Sequence, residues 1–116
     1  GVEGDYKIGM NEVQIGMTMH HAGIAIARAK LSHTYLDRSV NNSEIYNPKE
    51  AVKAGFLDVI VPEDQLLPTA IKAAKLFSQL NEKAHAATKL KVRKPHLEAI
   101  EKAIELDLQE EIAINP

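Results

Sequence analysis

Between Asn47 and Pro62 the chain leaves itself almost no conformational choice. Asn47 is a natural N-cap, Pro48 fits the first helical position, where its missing N–H costs nothing, and Glu50 follows the cap by three residues to complete a capping box. Gly55 offers the left-handed backbone that closes a helix, so this helix is held to about two turns. Leu57-Asp58-Val59-Ile60-Val61 then reads as a strand stopped by Pro62. A short helix that feeds a strand is therefore expected here.

The flanks differ in kind. Upstream, Ala22–Lys30 reads as a largely buried helix, with Arg28 and Lys30 near its C-terminal end where the macrodipole favours them. Ser32 is placed to cap a second helix, Ser32–Val40, Asn41-Asn42 stop it, and Glu44-Ile45-Tyr46 reads as a brief strand. Downstream, Asp64 is placed to cap a helix whose stripe is Leu67, Ala70, Ile71, Ala74 and Phe77 and which ends near Asn81. A further helix covers Glu82–Arg93, and Pro95 separates it from a last one with Leu97, Ile100, Ile104, Leu108 and Ile112 in register. One segment, 1–116, is therefore expected, with short strands and helices over 1–62 and helices alone over 63–116.

Composition narrows the function classes. With 14 basic and 16 acidic residues the formal net charge is -2, so no global field draws the chain to nucleic acid or to a membrane surface. The absence of cysteine removes disulfides and cysteine-rich zinc sites, and no apolar run approaches the ~20 residues of a membrane span, so a cytoplasmic protein is expected. Aromatic residues make up only 4%, few for a core built from one chain, which points to an interface that buries part of the surface.

Candidate chemistry gathers in Tyr6–Gly23. Ile8, Val13 and Ile15 are β-branched, Gly9 and Gly16 interrupt any long strand, and Glu12 falls in irregular backbone between two short extended pieces. A carboxyl that moves protons near neutral pH needs a partly apolar setting, which Met10, Val13, Ile15 and Met17 can supply. His20-His21 invites a metal reading, but adjacent histidines diverge and no third ligand stands at a recognisable spacing, so a structural or pocket-lining role is preferred. His33, His85 and His96 are single and read as surface or interface residues. Lys89, Lys91, Arg93 and Lys94 spread around more than one helix face, either as a solvated surface or as an anion contact.

Three blocks carry a family resemblance. Tyr6-Lys7-Ile8-Gly9-Met10-Asn11-Glu12-Val13-Gln14-Ile15-Gly16-Met17, then Asn47 through Pro62, then Ala86-Ala87-Thr88-Lys89 resemble, in order, segments of the crotonase (enoyl-CoA hydratase/isomerase) superfamily. The resemblance implies the C-terminal half of a crotonase-like α/β fold, with a few short strands followed mostly by helices. In that family a thioester of coenzyme A binds with its acyl carbonyl against two backbone N–H groups while a carboxylate moves a proton on the adjacent carbon. Glu12 matches that carboxylate, Gly16 and His20 fall beside the acyl chain, and Lys89 falls where phosphates of coenzyme A would be met. The implied activity is enoyl-CoA hydration or isomerisation in fatty acid metabolism. Superfamily chemistry also includes hydrolases, decarboxylases and lyases. No cofactor is implied beyond the coenzyme A that the substrate carries, and no metal.

The same resemblance implies a homo-oligomer, a trimer or dimer of trimers, or pairing with an N-terminal half that supplies the N–H pair and a second hydratase glutamate. Without them the chain alone is expected to be inactive. Met19-His20-His21-Ala22-Gly23 stands where many members have Pro-Gly-Ala-Gly-Gly, which alters the acyl pocket. A reading from another class is a non-catalytic helical oligomerisation or interaction module in which Glu12 is inert.

Overall fold

The computed structural model describes residues 1–114. Five α-helices follow an extended start: α1 (His21–Lys30), α2 (Leu36–Val40), α3 (Pro48–Ala54), α4 (Leu66–Ser78) and α5 (Glu82–Ile114). Single 3₁₀ turns, His33–Tyr35 and Glu63–Gln65, lead into α2 and α4.

The Asn47–Gly55 punctuation is met in full. Asn47 Oδ1 accepts from the Glu50 N–H at 2.8 Å, Glu50 Oε2 accepts from the Asn47 N–H at 3.3 Å, and Gly55 takes φ 98°. Two other expected caps are not made. The Ser32 hydroxyl donates to the Lys53 carbonyl at 3.2 Å and so ties α3 to the turn before α2. Asp64 sits inside a 3₁₀ turn, and α4 begins two residues later, at Leu66.

The expected strands shrink to two isolated bridges. Ile8 pairs antiparallel with Tyr46 through N–H···O bonds of 2.9 and 2.8 Å, and Val2 pairs in parallel with Val61. A ladder needs partners over several residues, and among the described residues each extended piece finds one only at a single position. The expected break at Pro95 is a correction: α5 runs on through it. Pro95 gives up the bond to the Lys91 carbonyl, and because Lys91 is exposed, water can take that acceptor.

The core lies where α1, α2 and α3 meet. Met19, Ala27, Leu31 and Val40 form one buried cluster, Tyr46, Ala51 and Ala54 form another, and Phe56 packs against both. Tyr46, only 3% exposed, stands edge-on to Tyr35 with ring centres 5.9 Å apart. Its hydroxyl bonds with Ser39 Oγ at 3.0 Å and donates to Glu44 Oε2 at 3.2 Å, so the buried polar atom is satisfied. Arg38 grips Glu44 with two bonds, 2.6 and 2.7 Å, and lies over the Tyr35 ring.

This core does not cover the helices that follow. The accessible surface is 8962 Å², against about 6,300 Å² for a folded monomer of this mass. The radius of gyration is 17.2 Å, where about 13 Å is usual for this length. Leu67, Ile71 and Phe77 of α4 and Leu90, Leu97, Ile104 and Leu108 of α5 are exposed.

Gly55 gives the first test. A Cβ there would lie 2.9 Å from the Ser32 nitrogen and 3.0 Å from the Lys30 oxygen, both backbone atoms, in a conformation that side chains avoid. Gly55→Ala should therefore destabilise by about 1–3 kcal/mol in urea titration. An unchanged midpoint would contradict this packing.

Candidate active site

Glu12 opens a tight turn. Its carbonyl accepts from Ile15 N–H at 3.2 Å and Met17 N–H at 2.8 Å, and Gly16 closes the turn at φ 82°. The Gln14 N–H donates to Ser43 Oγ at 3.1 Å, and this bond pins the turn to the loop before α3. Glu12 itself is half-buried, and its Oε2 is shielded from solvent without any hydrogen-bond partner. Met10 packs against the core, whereas Val13, Ile15 and Met17 are exposed, so only part of the expected apolar setting is built by this chain.

Beside the turn runs a groove of about 500 Å³ lined in part by Val13, Gly16, Met17, Thr18, Ile24 and Val40. Gly16 is one of the residues that line this groove. His20 is exposed at the N-cap of α1 and caps nothing with its side chain. Its Nδ1 lies 3.3 Å from Met19 Sδ, and the imidazole folds so close over Gly23 that a Cβ there would come within 2.6 Å of His20 Cε1. Lys89 is not brought to this place. It precedes Asp107 on α5 by about 27 Å of helix and is exposed.

Sequence reasoning missed the group that orients α1. Both oxygens of Asp107, on α5, receive the first amides of the helix: His21 N–H donates to Oδ1 at 2.7 Å and Ala22 N–H to Oδ2 at 2.8 Å. An acid remote in sequence does the work of the missing N-cap. His21 Nε2 meets Glu110 Oε1 at 2.7 Å, which adds a second tie between the same two helices. His21, Asp107 and Glu110 stand close enough to share a cation, but Asp107 is already committed to backbone amides and Glu110 to the imidazole, so the group works as a hydrogen-bonded clamp. No local signal reveals it, since an acid on a helix surface looks the same whether it is solvated or capping.

Electrostatics follow from these contacts. The bond to Glu110 raises the His21 pKa above its ordinary value. For Asp107 burial alone would push upward, but the amides of Ala22 and His21 and the nearby imidazoles outweigh it and hold the carboxyl below its usual range.

Residues 3–114 match the family model for enoyl-CoA hydratase/isomerase. An enoyl-CoA hydratase/isomerase family protein from Pseudomonas syringae is 50% identical with a TM-score of 0.91, over 94% of this chain and 47% of that one. A probable enoyl-CoA hydratase from Mycobacterium tuberculosis is 33% identical with a TM-score of 0.88, over 98% of this chain and 49% of that one. Human mitochondrial enoyl-CoA delta isomerase 1 is 29% identical over 89 residues, 77% of this chain and 30% of that protein. The chain thus spans about half the length of these solved relatives and under a third of the curated one.

The clamp has a pH signature. His21 has a raised folded pKa, so its contribution is complete below pH 6.5 and is lost as pH climbs through the higher folded value. Asp107 has a lowered one, so its contribution is complete above pH 3.8 and is lost as pH falls through the lower folded value. Thermal midpoints measured against pH should decline just above pH 6.5, and His21→Gln, which cannot titrate, should flatten that decline. An identical profile in the variant would count against the His21–Glu110 tie.

Proposed function

The chain belongs to the enoyl-CoA hydratase/isomerase family of the crotonase superfamily, and from that premise we propose that it forms the carboxylate-bearing part of an enzyme acting on enoyl thioesters of coenzyme A. Glu12 is the acid–base group. The observation that carries this reading is its shielded Oε2, which has no hydrogen-bond partner and so keeps a lone pair for a substrate C–H. Leaving such an oxygen unpaired costs roughly 1–3 kcal/mol, which a purely structural glutamate would avoid by turning outward.

The acyl chain lies in the groove beside Gly16 and Met17, next to the turn that carries Glu12. With the thioester carbonyl polarised by the N–H pair that the family resemblance implies, Glu12 takes a proton from C2 of a 3-enoyl thioester. The electron pair of that C–H bond becomes the C1–C2 double bond of an enolate. Collapse of the enolate forms the C2–C3 double bond and moves the old alkene electrons to C4, where the same carboxyl returns the proton. One carboxyl is enough for this shuttle, whereas hydration calls for a second group to position water. The human, mouse and rat relatives are enoyl-CoA delta isomerases, which supports the isomerase branch. In this reading His20, next in sequence to the groove-lining Met19, borders the acyl chain, and Lys89, exposed on α5, contacts a phosphate of coenzyme A across a subunit interface. No further cofactor enters the scheme. The non-catalytic module reading has no use for a shielded carboxyl.

Turnover is expected to require the N–H pair as well as Glu12. The 116-residue chain alone should not convert an enoyl thioester above background. When a polypeptide supplying the remainder of the fold is present, Glu12→Gln should lower kcat by about 10²–10⁴-fold with little change in KM. Steady-state assays of both preparations check this. A normal kcat in the Gln variant would remove Glu12 from the mechanism.

A further inference from the structure

Where α1 packs on the second half of α5, the two helices leave a trough of about 220 Å³ between them. Its apolar lining is Ile24 and Ala25 from α1 with Ala99, Ala103 and Leu106 from α5. Arg28, His96 and Lys102 line it too, and among the described residues no acid does. The surroundings have the opposite sign. From Leu97 to Glu111, α5 carries six acids and one lysine, and that lysine is Lys102. Among the described residues the ion pairs are His21–Glu110, Lys30–Asp58, Arg38–Glu44 and Lys94–Glu98, so neither Arg28 nor Lys102 has an anionic partner. The acids at the His21 end are already taken, Asp107 by the amides of α1 and Glu110 by the imidazole. Both walls of the trough belong to this chain, and the clamp seats them against each other.

The geometry points to a binding site for a carboxylate carried on a short aliphatic stem. The planar guanidinium of Arg28 is shaped to donate to both carboxylate oxygens side by side. Lys102 adds an ammonium, and the His96 imidazole has an N–H to give in either protonation state. Cations around an apolar lining suit a charged head with a hydrocarbon body. A bare anion would leave Ala99 and Leu106 in water, whereas a stem laid over them removes that surface from solvent. The volume is that of about seven waters, room for a stem of about five carbons. Ile24 lines the groove beside Glu12 as well, so one side chain borders both spaces. The ligand is a free acid and not the thioester, and its site stands independently of the chemistry proposed for Glu12.

Amide chemical shifts of the full chain, titrated with hexanoate at low salt, read the site directly. The amides of Ala25, Arg28, Ala99 and Ala103 should shift together and saturate with a dissociation constant of about 0.1–1 mM. Shifts led instead by Gly16 and Thr18 would put the acid in the groove beside Glu12 and overturn the proposal. Hexanol keeps the stem without the charge and inorganic phosphate keeps the charge without the stem, so each should bind about tenfold or more weakly. Equal binding by either would overturn it. The double variant Arg28→Gln, Lys102→Gln should lose about tenfold or more in affinity for hexanoate. Ala99→Leu, which fills the trough and suits a helix, should lose as much, with helix content by circular dichroism unchanged. Coenzyme A without an acyl group is the competing ligand, and displacement of hexanoate by its phosphates would overturn the carboxylate assignment. So would binding that survives in both variants, or shifts that vanish once a polypeptide supplying the remainder of the fold is present.

Discussion

A carboxylate laid across the first two amides of a helix joins the two parts of this chain. α1 begins with His20 and His21 and no side-chain cap of its own, so its orphan N–H groups must be met from elsewhere. Asp107 meets them from α5, and His21 answers with its bond to Glu110. Beyond this clamp, α5 buries little more than Ala103 against the rest of the molecule. The clamp also fixes the start of α1, and the segment that enters α1 is the one that carries Glu12. Helix placement and site placement are therefore one problem.

The second constraint is a shortage of cover. Small alanines at Ala51 and Ala54 let α3 pack closely under Tyr46, and that core is well made. The apolar residues of α4 and α5 find no such partner within the described residues. Free energy does not favour leaving that much apolar surface in water. Glu12 fits the same pattern: one oxygen is shielded without a partner, while Val13, Ile15 and Met17 around it stay open. Both features mark surfaces shaped to meet something else.

Features set by neighbours in sequence were the legible ones. The capping box at Asn47 and Glu50 and the left-handed Gly55 were readable because each device spans only a few residues. The family could be read from the short motif around Glu12 and two further blocks, and the family model spans residues 3–114. What escaped depends on distance or on context. Asp107 acts on residues more than eighty positions earlier, and nothing local separates a capping acid from a solvated one. Pro95 signals a break, but a neighbouring acceptor open to water lets α5 continue. Strand-like stretches at Ile8, Tyr46 and Val61 have the right side chains, yet pairing belongs to the partner as much as to the strand, and here it stops at single bridges. Of the other residues expected at the site, Gly16 lies at the groove, His20 lies at the helix start, and Lys89 stands well away along α5.

The clamp can be measured where it acts, by amide hydrogen exchange at His21 and Ala22. Amides at the first positions of a helix have no intrahelical acceptor and ordinarily exchange almost as freely as in an open chain. With Asp107 accepting from both, they should exchange about tenfold or more slowly than open-chain amides at neutral pH. Open-chain rates at these two positions, with Arg28 and Ala29 in the last turn of α1 still protected, would show that the helix forms without Asp107 and would contradict the account.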